Sequence, residues 1–417
     1  MFLTILYGFM RILLYGINFL PELIGTGKYT GEMASWLADH GYEVRVVTAP
    51  PYYPDWHVHA GYLAWRYYKE DFLSPQGNKI KVWRCPLWVP RSPSGIKRLI
   101  HLASFMFTSI TIMFSQIFWQ PNIVFLVAPT LFCAPVAWVT AKFSRAKAWL
   151  HIQDFELDAA VGLKLLQYNG LRKAAEFFET RSLRSFDRVS TISEKMVDRL
   201  YDKGISKERC ILFPNWVDAQ KIYPLSYPSP YRKELNISPD KIIMLYSGTM
   251  GEKQGLEILI EAACKLQNYP EILFILAGTG SARSRLEKQS KGLLNILWLP
   301  LQPTERLNDW LNLADIHILP QQADAADLVM PSKLTGMLAS GRPIIATALS
   351  ETQVGKVVSF CGKLVAPGDT KGLITTIQKL AKDPQLQLKL GSTARDYAVN
   401  YLGYEQVLVN LEKNLSF

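Results

Sequence analysis

Short apolar runs of strand length alternate along this chain with stretches whose apolar residues recur every three or four positions. Met10 to Gly16 is the first run; it ends in glycine and leads into the loop Asn18 to Gly27. From Tyr29 to His40 the apolar residues Met33, Trp36 and Leu37 take helical spacing, Gly41 closes the segment, and Glu43 to Thr48 reads as the next strand. Strand, glycine-bearing turn, helix, strand is a βαβ unit. Further strands are predicted at 79–83, 123–127, 148–153 and 188–191. Each is short, apolar and separated from the next by helix-length sequence, the signature of a parallel sheet covered on both faces. A second series runs through 242–247, 272–277, 296–299, 316–319 and 343–347. The expected class is therefore α/β, with two Rossmann-like doubly wound parallel-sheet domains facing a cleft. Phe213 to Pro230 holds four prolines and no periodicity, and marks the junction. An N-terminal domain at 1–219 and a C-terminal domain at 220–395 result, with 396–417 expected to pack back on the first. A length of 417 residues, too long for one ordinary core, agrees with two.

Leu99 to Trp119 stands apart: it has no Lys, Arg, Asp or Glu and is long enough to span a bilayer. Yet His101, Ser104, Thr108, Thr111 and Ser115 recur at steps of three and four, tracing a polar stripe down one helical face. A stripe fits a packed crossover helix or a helix lying in a membrane interface, and a transmembrane helix is the third reading. Arg91, Lys97 and Arg98, just before it, are placed to meet lipid phosphates.

Charge is unevenly spread. Of a net charge of +10, the first 203 residues carry +7, and eight of the eleven tryptophans lie there too. A basic, aromatic-rich surface suits nucleic acid or an anionic membrane. No zinc-finger, RRM or helix-turn-helix pattern is present, so the expected partner is an anionic membrane surface and not nucleic acid. Cys85, Cys133, Cys210, Cys264 and Cys361 are widely separated and form no CxxC pair, which argues against zinc and for a reducing compartment. The expected location is cytoplasmic, peripheral on the inner face of the cytoplasmic membrane. The opening MFLTILYGF lacks a basic n-region and a cleavage site, and reads as an extension upstream of a fold that begins near Met10.

Candidate chemistry should sit in loops directly after strands, where open α/β sheets bind ligands. The strongest segment runs from Asp324 to Thr347. Pro331 and Ser332 start a helix, Leu334, Met337 and Leu338 give its buried face, and Gly341 closes it. The free amides of its first turn, with Lys333, would stabilise a diphosphate; a capped helix with a solvated lysine is the plainer alternative. Gly248 to Lys253 is a second glycine-bearing loop, with a lysine able to reach the same phosphates, and Gly278-Thr279-Gly280 is a third. In the first half, His151 and Asp154 end a strand and place an imidazole and a carboxylate near the cleft; a satisfied structural histidine is the alternative for His151. No GxSxG, HExxH, Walker A or DxD sequence occurs, so no metal is expected.

These blocks together resemble the retaining, metal-independent glycosyltransferases of the two-domain GT-B fold, and the resemblance covers nearly the whole chain. It is carried by Tyr15 to Asn18, Pro21-Glu22 and Gly25 to Gly27; by Asp187 to Glu194; by Phe213-Pro-Asn-Trp-Val-Asp218; and by Gly248 to Lys253, Gly278 to Gly280 and Met330 to Ile345. The blocks TAPPYYP, HIQD, GEKQGLE and PSKLT look like the colanic-acid-like, exopolysaccharide branch of that family.

The resemblance implies a C-terminal half that binds a GDP- or UDP-linked sugar as substrate, with no further cofactor, and an N-terminal half that binds a lipid-linked (polyprenyl-diphosphate) or polysaccharide-precursor acceptor. On it, Lys253, Ser332 and Lys333 face the diphosphate, with Gly248, Thr249, Pro331 and Leu334 around them. Gly25, Thr26 and Gly27 approach from the other domain. Gly278 and Gly280 also line the donor, Pro300 and Leu301 lie beside the base, and His151 or Asp154 sits near the reacting hydroxyl. The family's paired glutamates for donor sugar and ribose fall on Leu328 and Gly336, leaving Asp324 or Asp327 as substitutes for the sugar contact, and its phosphate arginine falls on Thr249. Those losses leave two alternatives to a transferase: a non-catalytic nucleotide-sugar-binding homologue and a sugar-nucleotide epimerase of the same fold.

Overall fold

A computed structural model of the chain describes residues 10–22, 25–92, 95–156, 169–323 and 331–416. It divides into two compact units, one of residues up to Phe213 together with Glu412–Phe417, the other Pro214–Leu411.

The first unit is built on eight strands: β1 (Arg11–Tyr15), β2 (Glu43–Thr48), β3 (Tyr68–Leu73), β4 (Lys79–Arg84), β5 (Ile123–Ala128), β6 (Lys147–Ile152), β7 (Arg188–Thr191) and β8 (Cys210–Leu212). Their order is β3-β4-β2-β1-β5-β6-β7-β8, parallel throughout except where β3 meets β4. β5 is buried at all six positions, which is why it reads as an unbroken apolar run. Edge strand β3, YKEDFL, alternates half-buried with exposed positions and carries charges, so no apolar run announces it. Helix α1 (Gly25–Asp39) begins four residues before the predicted periodicity, and buries Met33, Trp36 and Leu37. Helix α2 (Gly95–Ile117) packs on β2 and on α3 (Ala134–Ser144), which in turn covers β5 and β6.

The second unit holds six strands: β9 (Ile242–Ser247), β10 (Ile272–Ala277), β11 (Ile296–Leu299), β12 (Ile316–Pro320), β13 (Ile344–Thr347) and β14 (Lys363–Val365). All are parallel, in the order β11-β10-β9-β12-β13-β14. Alternate residues serve opposite faces, and both faces are buried. Met244, Tyr246, Phe274 and Leu276 join one core; Ile243, Leu245, Ile275 and Ala277 join another around Trp310.

The proline-bearing junction belongs to the second unit from Pro214 onward, not from residue 220 as its composition implied. The Val217 amide donates to the Leu402 carbonyl at 2.8 Å, and the Tyr404 amide to the Val217 carbonyl at 3.0 Å. The Arg395 guanidinium donates to the carbonyls of Ala219 at 2.7 Å and Ala339 at 2.8 Å, fixing the same segment. The helix Pro384–Leu402 also stays with this unit, because Ala394, Ala398 and Leu402 are buried in its core. Only the segment from Glu412 onward returns to the first unit, where Tyr42 Oη donates to Glu412 Oε1 at 2.9 Å.

Both sheets reverse direction beside their first strand: β1 lies between β2 and β5, and β9 lies between β10 and β12. Loops leaving the carboxyl ends of such neighbours diverge and open a crevice. Each unit therefore has one place where chemistry is expected.

Candidate functional site

In the second unit, three loops converge beyond the ends of β9, β10 and β11. Gly248 donates to the Ala277 carbonyl at 2.9 Å, Met250 to Thr279 at 2.8 Å, and Gly278 to Leu299 at 3.2 Å, so the loops are stitched backbone to backbone. The stitching leaves no room for side chains. A Cβ on Gly278 would lie 1.8 Å from the Gly248 carbonyl oxygen, and one on Gly280 would lie 2.3 Å from that of Met250. Both glycines also adopt φ near +150°, a region side chains avoid. Arg283, just beyond the loop after β10, donates to the Gly278 carbonyl and, at 3.0 Å, to that of Leu299, tying the approach of Pro300 and Leu301 to Gly278.

The helix Ser332–Ala339 starts beside these loops, with Pro331 at its cap and Leu334, Met337 and Leu338 buried as its periodicity predicted. Ser332 is exposed and Lys333 turns inward. Lys333 Nζ lies 4.2 Å from the centre of the Tyr246 ring and donates to Tyr246 Oη at 3.2 Å. Tyr246 Oη in turn donates to the Thr249 carbonyl. The Lys333 stem runs past Gly248, where a Cβ would touch its Cδ at 3.3 Å. Although the residue as a whole is half-buried, its ammonium end is enclosed by protein, and this desolvation pulls its pKa down to about 7. No carboxylate among the described residues forms an ion pair with it. An enclosed cation against a tyrosine and a glycine backbone, on the first turn of a helix whose leading amides lack intrahelical partners, is chemically suited to receive an anion with several oxygens. Lys253 falls in the short turn Glu252–Gln254, with its side chain outside the described part of the structure, and Asp324, Asp327 and Leu328 lie outside the described residues.

In the first unit, Gly25 opens α1 at φ +61°. Gly27 faces Glu22 so closely that a Cβ there would meet the Glu22 side chain at 2.8 Å. Glu22 is buried and accepts from the amides of Tyr52 at 2.9 Å and Tyr53 at 2.8 Å, and from Asn18 Nδ2 at 2.9 Å. It thereby joins the loop after β1, which carries Gly25 to Gly27, to the loop after β2, and burial raises its pKa. The Thr26 carbonyl accepts from Thr30 Oγ1 within α1.

His151 is placed at the end of β6 but is buried, with ring nitrogens at 2.9 Å from Ser190 Oγ and from Gln153 Nε2. Gln153 donates through its amide, so Nε2 accepts and Nδ1 carries the proton toward Ser190. Burial pushes the pKa down to about 3, leaving a neutral ring packed on Phe213. Both nitrogens are thus engaged inside the unit, and the ring holds β6 to β7. Asp154 is exposed in the turn beyond β6.

Two residues on, Glu156 accepts from the amides of Thr130 and, at 2.9 Å, Leu131, beside a small cavity it lines with Asp154, Phe155 and Glu179. Desolvation outweighs those amides and raises its pKa to about 7. This carboxyl, able to hold or release a proton at neutral pH, has no motif to mark it; its partners lie 25 and 26 residues away in sequence.

Residues 25–216 match the glycosyl transferase 4-like domain, and residues 229–397 match the glycosyl transferases group 1. The chain is 43% identical over 409 residues to WcaI of Escherichia coli, assigned to colanic acid biosynthesis as a glycosyl transferase; the match covers 96% of this chain and 98% of that protein. Over 37% of its length and 40% of the relative, it is 27% identical to the alpha-D-kanosaminyltransferase of Streptomyces kanamyceticus. Among solved structures, the sucrose-phosphate synthase of Thermosynechococcus elongatus aligns with a TM-score of 0.72 at 16% identity, over 97% of this chain and 98% of that one. HepE of Anabaena in complex with UDP aligns with a TM-score of 0.66 at 14% identity, over 98% of this chain and all of that one. At such identities the structural likeness speaks for the fold.

Two outcomes are expected from this geometry. Gly278→Ala forces the first two loops apart and should weaken nucleotide binding by roughly 100-fold or more, at the scale of about 3 kcal/mol for overpacking; unchanged binding by calorimetry would remove the stitched loops from the site. For Glu156, a folded pKa above the unfolded value means a stabilising contribution that is complete at acid pH and is lost as pH rises through about 7. Glu156→Gln keeps an acceptor for both amides and removes that loss. Melting temperatures compared from pH 4.5 to 8 should show the variant gaining on the parent as pH rises, and parallel curves would refute the raised pKa.

Proposed function

We propose, because the chain belongs to the group 1 glycosyltransferases and has their two-domain GT-B fold, that it transfers a sugar with retention of configuration from a GDP- or UDP-linked donor to a lipid-linked or polysaccharide-precursor acceptor at the cytoplasmic face of the membrane. The observation that carries this reading is the enclosed Lys333 ammonium, which meets the ring and hydroxyl of Tyr246 and pairs with no carboxylate among the described residues. WcaI is assigned to colanic acid biosynthesis, and its 43% identity over nearly the full length supports a role in a related exopolysaccharide or cell-surface glycan. HepE, of the same fold, was crystallised with UDP, which supports the nucleotide class.

In this mechanism the acceptor hydroxyl attacks C1 on the face that the diphosphate leaves. The C1–O bond breaks as the new bond forms, positive charge grows on the sugar and negative charge on the departing phosphate. Lys333 and the first-turn amides at Ser332 and Lys333 are aimed at that phosphate charge, and need no reorganisation when it develops. Lys253, on the neighbouring turn, supplies the second cation, and the phosphate oxygen takes the acceptor's proton. Asp324 and Asp327 are the candidates for the sugar hydroxyls. Metal-independence follows in this reading from the two lysines, which supply the positive charge themselves.

Lys333→Gln and Lys253→Ala should each lower transfer by roughly 100-fold or more, the usual effect of removing a donor aimed at transition-state charge, with melting temperatures maintained. Near-normal turnover in both sinks the assignment. The sign of the pH effect follows from Lys333: free, it loses its proton above about pH 7, whereas a bound diphosphate favours the ammonium. Affinity for UDP or GDP should therefore fall by up to about tenfold per pH unit above 7, with proton uptake on binding. Calorimetry in buffers of different ionisation enthalpy reads both, and a pH-independent affinity with no uptake contradicts the role.

A further inference from the structure

Helix α2 is apolar on both sides, burying Leu102, Phe105 and Met113 while leaving a second apolar line exposed. Its inward side carries the polar anchors: Ser109 Oγ bonds to Tyr15 Oη, Gln116 Oε1 accepts from Arg45 Nη1 at 3.0 Å, and His101 Nδ1 lies 2.6 Å from the Trp88 carbonyl. Its outward side is apolar. Ile96, Leu99, Ile100, Phe107 and Phe114 are exposed, Ala103 and Ile110 are partly so, and Phe118 comes next at 91% exposure. These positions step by three and four, so they form one stripe along the whole helix. The expected polar stripe is thus divided: His101 is buried, Ser104 and Thr108 are half-buried, and Thr111 and Ser115 are exposed beside the apolar line.

Aromatic side chains continue this surface. Trp88 is exposed on a loop whose amide donates to Ser104 Oγ at 2.9 Å, and Tyr67 Oη donates to the Thr108 carbonyl at 2.8 Å. Trp65, two residues before Tyr67, is 76% exposed. Along the chain, the charge flanking α2 has one sign. No Asp or Glu occurs between Asp71 and Asp154 in sequence, while Arg91, Lys97 and Arg98 stand at or just before the start of α2, and none of the three forms an ion pair among the described residues.

We infer that the outward face of α2, flanked by Trp65, Tyr67 and Trp88, seats the first unit in the surface of an anionic lipid bilayer. An apolar helical stripe lies about 5 to 10 Å into the headgroup and acyl boundary, Trp and Tyr favour that same depth, and basic residues beside it meet lipid phosphates. The polar anchors make spanning unfavourable, because crossing would strip Ser109, Gln116 and His101 of their partners. A second copy on the same face would bring identical unpaired cations together across a twofold axis. The basic start of α2 also lies within electrostatic reach of the acceptor-side loops, since Arg98 acts on both Tyr52 and Glu156. Seating the helix therefore holds those loops at headgroup depth, where the diphosphate of a lipid-linked acceptor resides; this last step rests on the proposed transfer reaction, the seating itself does not.

The test uses the full chain without donor or acceptor, sedimented with phosphatidylcholine vesicles with and without phosphatidylglycerol. Binding is expected with phosphatidylglycerol and should weaken as salt rises toward about 1 M. Phe107→Ser combined with Phe114→Ser should lower partitioning by about tenfold or more, and Arg91→Glu combined with Lys97→Glu should erase the preference for phosphatidylglycerol. Both should leave melting temperature and nucleotide affinity unchanged. Lys333→Gln is expected to bind vesicles like the parent, so failure of the transfer reading and failure of lipid binding are read separately. Indifference of the parent to phosphatidylglycerol, or equal partitioning of the Phe107 and Phe114 double variant, overturns the inference. So does a parent dimer in sedimentation that the same double variant splits.

Discussion

An ammonium group held off from water, with no carboxylate to balance it among the described residues, is the constraint on which the second unit's site depends. Burial lowers the pKa of Lys333, and among the described residues the face and hydroxyl of Tyr246 stand against the charge it carries. Relative to a solvated lysine this arrangement destabilises the free protein at neutral pH, because the unfolded chain holds that proton more firmly. The surrounding geometry makes sense as compensation supplied by a ligand. Gly248, Gly278 and Gly280 bring backbone close, Arg283 locks two of the loops by their carbonyls, and the helix that carries Lys333 starts beside them. An anion entering there restores the charge that folding removed.

Much of this was legible in the chain because it depends on local pattern. Unbroken apolar runs mark buried parallel strands, and Pro331-Ser332 followed by Leu334, Met337 and Leu338 marks a capped, half-buried helix. The features that stayed hidden depend on distant partners. β3 carries Lys69, Glu70 and Asp71, and is a strand only because β4 pairs with it. Glu22 and Glu156 look like ordinary acids; each matters because a loop some 25 to 31 residues away offers it two amides. His151 misleads in the opposite sense. Its position at a strand end is the one expected of a catalytic group, yet Ser190 and Gln153 occupy both nitrogens, and the ring cannot be protonated near neutral pH.

Helix α2 shows a subtler limit. Counting polar residues at helical spacing finds a stripe but not the direction in which it points. Serine, glutamine and histidine can share the inward face with Leu102, Phe105 and Met113 when the sheet beneath offers Tyr15 and Arg45 as partners, and the remaining apolar residues then fall outward. Amphipathicity is therefore read from the partners available on the body, and the same sequence would be an ordinary crossover helix over an apolar sheet face. The absence of acidic residues from Phe72 to Gln153 carries the complementary information, and no periodicity count registers it.

The departure from the family's paired glutamates follows the same logic of charge. Gly336 lies on the helix that presents Lys333, and a Cβ there would already press on Leu311 Cδ1 at 3.2 Å, so the backbone is packed against an apolar neighbour where a ribose-binding carboxylate would otherwise stand. A glutamate beside an enclosed lysine raises the lysine's pKa and neutralises part of its field. Without one at position 336, Lys333 takes up its full charge only when an anion arrives, and in the proposed reaction hydrogen-bond selection of the donor moves off this helix. In the proposed reaction the stitched loops at Gly278 to Gly280 and the approach at Pro300 and Leu301 then distinguish the nucleoside, because Arg283 ties the carbonyls of Gly278 and Leu299 together. On the proposed reaction, discrimination of the nucleoside is thus a property of loop geometry, while Asp324 and Asp327 remain the candidates for the sugar hydroxyls.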